Sequence, residues 1–309
     1  MTDHFEPLRS LSHPKARVYK NRGVVIELAA SYEELETQSL AAVEPLWAKY
    51  PKAQAFWQTL LDDAEAQSNW DMANYMAVNK LGYNDHGRTH AIVAGSNAVR
   101  IFDLLVASGV NPDVTLSGAG DLDDACLVTA SATLLHDIGN QLHRQHHELL
   151  GVGLAQSLLD RLMPAVYPEV QQRIELRAFI LHAILSHDFD PLPLTFEAGV
   201  VGVADGTDVT KGRGRKAFDL GKIDIHSVSA LAIDEVHIGP GKDMPVEITV
   251  VMNNSAGIFQ IEETLTRKVV RGPLSKWITV TAVTRPADSP NDARIIERLT
   301  LRNGVFVTE

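Results

Sequence analysis

The sequence predicts a mainly α-helical domain followed by a small α+β domain with the order β-β-α-β-β. Three observations predict it. Between about residues 31 and 210, apolar residues recur at helical spacing behind clear helix-start signals. After about residue 218, short β-rich runs flank one amphipathic helix. Between the two regions lies KGRGRK, residues 211–216, a short Gly-rich segment suited to a hinge or loop. The domains are therefore an N-terminal extension (1–30), a helical domain (31–218) and a C-terminal α+β domain (219–309).

The extension is polar and holds one β-like run, Val24-Val25-Ile26. Ser31 with Glu34 makes a capping box that opens a helix over 32–48, which stops before Pro51. Further helices are predicted over 52–66, 68–81 and 86–109, the last with Ile92, Val99, Ile101 and Leu105 at apolar positions. The helix over 121–138 opens with Asp121, Asp123 and Asp124, which suit the positive end of the helix dipole. Two more cover 144–162 and 168–187. TFEAGVVGVADGTDVT, 195–210, reads as helical despite its glycines, with Thr195 as N-cap. In the C-terminal domain, ALAIDEVHI, VEITVVM, WITVTAV and IIERLTLRNGVFV read as β. NNSAGIFQIEETLTRKVV is the helix, with Ile258, Ile261 and Leu265 on one face.

Composition narrows the function classes. Of 309 residues, 45% are hydrophobic and 22% charged, as in ordinary globular proteins. The net charge of −11 opposes docking on a polyanion, so a nucleic-acid polymer is not an expected partner. A small phosphorylated ligand is compatible with it, because a metal ion inverts the local field. One cysteine, Cys126, rules out an internal disulfide and cysteine-rich zinc modules. MTDHFEPLRS lacks the apolar region of a signal peptide, and no apolar run reaches membrane-spanning length. A cytoplasmic protein without membrane partners is expected, with a homodimer among its assemblies.

The chemistry concentrates in histidine. Of twelve histidines, eight fall between residues 86 and 187: His86, His90, His136, His143, His146, His147, His182 and His187. The stretch LLHDIGNQLHRQHHELLG, 134–151, alone holds four, one of them directly before Asp137. A buried aspartate is costly unless paired or bound to a cation, and a divalent ion offsets that cost. His86 and His90 are four apart, so on a helix they share a face. His182 and His187 are five apart and diverge, so at most one faces a common site.

The order His90, His136-Asp137, His147, His187, Asp205 resembles the HD superfamily of metal-dependent phosphohydrolases. THAIVAGSNAVRI is similar to that family's first metal-binding helix, LLHDIGN to its HD motif and HHELLG to its H-P-E-x-G segment. AILSHD resembles its A-I-x-x-H segment, and VADGTDV its closing A-D-x-x-D segment. The likeness covers roughly residues 80–215 and leans toward the five-motif, two-metal branch that includes HD-GYP domains. Two departures stand out: there is no GYP tripeptide, and Ser186-His187-Asp188 replaces the His-His-Glu of that branch.

The resemblance implies an HD-type helical bundle and a hydrolytic centre. His90, His136, Asp137, His147, His187 and Asp205 are its implied metal ligands, with His147 selected over His146 and His187 over His182. His86 is a candidate for a further ion, as a carboxylate is in some HD-GYP proteins. Asp137 and His136 carry the implied catalysis, Asp137 by bridging two divalent ions. Imidazole with carboxylate suits Mn, Fe, Co, Ni or Zn better than Ca. A shared hydroxide then attacks phosphorus in line. The substrate class is a small phosphate ester, nucleotides first among them, hydrolysed as a phosphomonoester or a phosphodiester. Lys211 and Arg213 after the last motif, and Arg88 before His90, are candidate substrate contacts. Two other classes share these features: HD-fold di-iron oxygenases, and sensors that bind a nucleotide or metal without catalysis. All candidate ligands precede residue 206, and the C-terminal domain shows no catalytic cluster, so it is expected to be dispensable for the chemistry.

Overall fold

The computed structural model describes residues 18–21, 24–27, 32–210, 229–285 and 296–308. Strands β1 (Val18–Asn21) and β2 (Val24–Glu27) pair antiparallel as a hairpin. The helical domain follows as α1 (Tyr32–Val43), α2 (Pro51–Asp62), α3 (Ala64–Asn74), α4 (Arg88–Ala107), α5 (Asp113–Leu116), α6 (Leu122–Leu135), α7 (His147–Leu162), α8 (Val170–Ser186) and α9 (Phe196–Asp205). The predicted helices are present, with ends shifted for local reasons. Pro45 ends α1 early, and the chain continues as a 3-10 turn, Glu44–Lys49. Asp121 caps α6 through a reciprocal pair with Asp124, and Thr195 caps α9 by accepting from the Ala198 N–H at 3.2 Å. The helix predicted from residue 86 begins only at Arg88, behind Gly87. KGRGRK, Lys211 and Arg213 lie outside the described residues.

α6 is the axis of the domain. Every residue from Asp124 to Leu135 is buried, including the sole cysteine, Cys126. Such a helix, buried all round, requires neighbours on every side, and α2, α4, α8 and α9 supply them. The Thr129 and Thr133 hydroxyls donate to carbonyls one turn back at 2.9 and 2.7 Å, and the Asp124 carboxylate is met from outside the helix by the Lys52 ammonium and the Tyr167 hydroxyl, at 2.5 and 2.7 Å. Trp70 closes one side by donating its indole N–H to the Leu134 carbonyl at 2.7 Å. α4 is long and apolar enough to cross a membrane by length and composition, but most of it is packed inside this bundle.

The C-terminal domain is a five-stranded sheet in the order β3-β4-β5-β6-β7: Ile233–Pro240, Val246–Met252, Ile278–Thr284, Arg298–Arg302 and Val305–Thr308. All neighbours are antiparallel except β4 and β5, which are parallel. Between those two the chain crosses over through helical turns: α10 (Gly257–Gln260), a π-helical segment (Ile261–Thr266) and α11 (Arg267–Arg271). Ile261, Leu265 and Val269 are buried on it, as are alternate residues of β4. The last β run differs from the single strand expected. It folds as a hairpin, because Asn303 (φ 51°) and Gly304 (φ 79°) form a two-residue turn of the kind that joins antiparallel strands.

The two domains meet along a glycine face of α9. A Cβ on Gly199 would lie 2.7 Å from Pro273, and one on Gly206 would lie 3.0 Å from the Thr264 carbonyl. The α9 glycines, which weaken a helix in isolation, thus allow the crossover segment to approach the backbone closely. On the other side, Arg100 of α4 donates to the Ile238 carbonyl of β3 at 2.7 Å.

Two outcomes test this packing. A Cβ on Gly139 would land on the His147 carbonyl and 2.5 Å from the Gly151 nitrogen, forcing the turn after α6 away from α7. Gly139→Ala should therefore destabilise by about 1–3 kcal/mol, and an unchanged melting temperature would contradict this contact. Glu197, fully buried in the first turn of α9, accepts from the Val114 N–H at 2.9 Å, while its Oε2 has no hydrogen-bond partner among the described residues. Burial pushes its carboxyl up from 4.5 to about 7. Between those values the unfolded chain has released the proton and the folded one keeps it, so stability falls as pH rises through that range. Glu197→Gln should melt like wild type near pH 4.5 and be more stable at pH 8, by at most about 3 kcal/mol. Thermal melts across this pH range check it, and a constant difference between the two proteins would refute it.

Candidate metal centre

Five helix ends converge on one point beneath α6. His136 and Asp137 follow the last turn of α6, His90 lies in the first turn of α4, and His147 opens α7. His187 follows the last turn of α8, and Asp205 ends α9. His136, His90, His147 and His187 are 0–2% exposed, and Asp137 and Asp205 are 5% and 8% exposed. His146 takes a left-handed conformation (φ 62°), uncommon for a side chain of its size, and that turn directs His147 inward. His146 itself stays largely exposed.

Each of the four imidazoles is oriented by a partner on its Nδ1. His136 Nδ1 lies 2.7 Å from the Thr133 carbonyl, His187 Nδ1 2.7 Å from the Ile184 carbonyl and His147 Nδ1 3.2 Å from the Arg144 carbonyl. A carbonyl only accepts, so each of these nitrogens carries a proton, and in the neutral ring it is Nε2 that keeps the lone pair a metal ion would take. His90 Nδ1 is held at 2.7 Å by Asp208 Oδ2. All four Nε2 atoms then face Asp137. Its Oδ2 is 3.3 Å from both His90 and His136, while its Oδ1 is 3.2 Å from His147 and 4.0 Å from His187. One carboxylate is thereby divided between two pairs of imidazoles. Asp205 Oδ1 joins the first pair, 3.2 Å from His90 and 3.5 Å from His136.

The donors fit metal ions. The paired Nε2 atoms are 3.2 Å apart in His90–His136 and 3.1 Å apart in His147–His187. Bonds of about 2.1 Å at right to tetrahedral angles put neighbouring donors about 3.0–3.4 Å apart. Three overlapping triads, His90-His136-Asp205, His136-Asp137-His187 and His147-His187-Asp188, each bring their donor atoms within 4.8 Å of one another. The cluster could therefore hold metal ions, in an arrangement compatible with an HD-type site.

Charge balances inside the cluster. Burial alone would lower His136, but the carboxylates of Asp137 and Asp205 outweigh it and push it up to about 9. Burial opposes the Asp137 anion, yet the electrostatic pull of His136 and, after it, of His86, with hydrogen bonds from His136 and His147, holds its carboxyl well below the usual range. Asp205 is held low in the same way, first by the Lys268 ammonium and then by His136 and His90. Burial lowers His187, to about 3.

Several participants were not among the sequence candidates. Asp208, the second acid of VADGTDV, is the residue that orients His90. Asn140 donates to Asp137 Oδ1 at 2.9 Å, and Arg144 sits 3.8 Å from the same oxygen and 3.1 Å from His147 Nε2. Asp188, noted in the sequence only as a departure, completes the third triad. Lys268 comes from α11 of the C-terminal domain. Its ammonium pairs with Asp205 Oδ2 and lies 3.5 Å from Asp188 Oδ1. All candidate ligands do precede residue 206, but the C-terminal domain is in direct contact with them.

The other candidates divide. His86 stands beside the cluster, its ring 6.0 Å from that of His90, but outside the three triads. It precedes α4, and its Nδ1 lies 2.6 Å from the Asn84 carbonyl. Arg88 is a correction. Its guanidinium turns away to Glu36 at 3.4 Å, to the Leu61 carbonyl at 3.3 Å and over the Trp70 ring. Residues 88 and 90 are two apart on a helix and point to opposite sides, so the one that carries His90 inward carries Arg88 out. His143 and His182 bond to the backbone N–H groups of Gln145 and Leu194. Lys211 and Arg213, again, lie outside the described residues.

No family model matches the chain, and no solved structure matches it. A relative does: Uncharacterized protein MJ1020 of Methanocaldococcus jannaschii is 38% identical over 226 residues, 73% of this chain and 87% of the relative. At that identity and coverage, the chain belongs to the same family as Uncharacterized protein MJ1020.

Proposed function

We propose that the protein is a metal-dependent phosphohydrolase of the HD superfamily, acting on a nucleotide or another small phosphate ester. The observation that carries this is the division of Asp137 between two pairs of imidazoles, each ring already oriented through its Nδ1. The motif order from His90 to Asp205 supports it independently.

His90, His136, Asp137 and Asp205 would hold one divalent transition-metal ion, and Asp137, His147 and His187 a second. Bound there, Mn, Fe, Co, Ni or Zn supplies a nucleophile from water at neutral pH and neutralises phosphoryl charge. The protein's own part is positional. The Nδ1 hydrogen bonds hold the rings so that no ligand reorients on loading. Burial of the cluster keeps bulk water away and strengthens its electrostatics. Asp188, whose side chain is 37% exposed, leaves an approach for substrate.

Two variants and one panel test this. Metal analysis of the purified protein followed by a panel of phosphomonoesters and phosphodiesters should find transition metal and turnover. Iron with oxygen consumption and no ester hydrolysis would favour the di-iron oxygenase instead. Asp137→Asn keeps the shape of the side chain but not its charge. It should fold by circular dichroism, lose metal and lose turnover by more than the roughly 10²–10⁴-fold typical of a general acid or base. A folded variant with wild-type turnover would remove Asp137 from the chemistry. Asp208→Ala should leave the fold intact and weaken metal affinity by about 10–100-fold, because His90 loses the partner that orients it. Unaltered affinity in a metal titration would show that His90 needs no such support.

A further inference from the structure

Arg144 and Lys268 reach the same carboxylate by different oxygens. Asp188 Oδ2 lies 3.7 Å from Arg144 Nη2, and its Oδ1 lies 3.5 Å from Lys268 Nζ. Beyond Asp188, each cation touches a different acid of the centre: Arg144 is 3.8 Å from Asp137 Oδ1, and Lys268 pairs with Asp205 Oδ2. Asp188 is also the open acid of the three, its side chain 37% exposed against 6% for Asp137 and 12% for Asp205. The two cations therefore flank the part of the cluster that reaches solvent.

Metal binding alone does not account for them. A positive side chain beside the ligands opposes the entry of a cation by Coulomb repulsion. An anion brought to the centre gains from both. A terminal phosphate suits the pair better than a diester. It carries close to two negative charges at neutral pH and has three acceptor oxygens, whereas a diester has one charge and two such oxygens. Arginine offers a fork of donors and lysine a point charge, which together suit one tetrahedral group.

We propose that Arg144 and Lys268 form a two-cation subsite for the terminal phosphate of a phosphomonoester, with Lys268 contributed by the C-terminal domain. This rests on the phosphohydrolase function proposed above and names its substrate class. It also gives the C-terminal domain a task in recognition: the glycine face of α9 brings the crossover segment close enough for Lys268 to reach Asp205.

The test measures inorganic phosphate and dimethyl phosphate binding to the metal-loaded full-length protein by calorimetry, with bound metal determined on every sample. Lys268→Met should bind phosphate about 10–100-fold more weakly, as expected for losing a hydrogen bond to a charged group. Its metal content and its weak binding of dimethyl phosphate should be unchanged. Lys268→Arg should recover most of the loss, and Lys276→Met, an exposed lysine of the same domain, should lose nothing. Unchanged phosphate affinity in metal-loaded Lys268→Met would overturn the subsite, leaving Lys268 a counter-ion. Loss of metal in Lys268→Met would also overturn it, in favour of a role in holding Asp205. If Lys268→Met fails to fold, the partly exposed Arg144→Gln takes its place, and wild-type phosphate affinity there overturns the proposal equally. A wild-type protein that takes up no metal would overturn the phosphohydrolase reading itself. One that takes up metal but ignores phosphate would overturn only the subsite.

Discussion

A single buried carboxylate shared by two pairs of imidazoles is the constraint on which the rest depends. Asp137 can sit under the end of α6 only because cationic and hydrogen-bonding groups surround it. Those groups come from five helix ends, so the helices must stop where they do. α6 must end at Leu135, α8 at Ser186 and α9 at Asp205, and the α7 turn must pass through a left-handed His146. The burial of α6 from Asp124 to Leu135 goes with the same need. That burial on every side fixes the depth at which Asp137 lies.

The shell around the cluster is as specific as the cluster. Three of the four rings are oriented by carbonyls from the turn just before them, a local device that travels with each helix end. His90 is the exception. Its Nδ1 is held by a distant acid, Asp208, whereas the acid near His147 Nδ1, Glu148 at 3.0 Å, is its neighbour in sequence. The C-terminal domain enters the same shell through Lys268. The centre is thus assembled across both domains, although every candidate ligand belongs to one.

What the sequence revealed, and what it concealed, follows from the range of the interactions. The helices, the β-rich tail and the cluster residues from His90 to Asp205 were legible because each is marked by local spacing or a short motif. His147 over His146 and His187 over His182 were legible for the same reason, and burial separates His147 from His146 in the structure. Arg88 was misread because two residues in sequence are opposite faces on a helix, and the helix began later than its pattern suggested. The Asn303-Gly304 turn lay within an otherwise continuous β run and was read as part of one strand. Lys268 left no local trace. Its place is set by how the crossover segment packs on the glycines of α9, and the partner it reaches, Asp205, is 63 residues away in sequence.

The lone cysteine gives this architecture a built-in reporter. Cys126 lies within the fully enclosed helix, and burial pushes its thiol well above the ordinary range. A disulfide reagent needs both access and thiolate, and the native state denies it both. Labelling of this one sulfur therefore proceeds only through openings that expose α6, and its rate under native conditions measures how often the core breathes. Since His136 and Asp137 follow directly on the same helix, that rate also reports how firmly the centre is held, before any ligand is known.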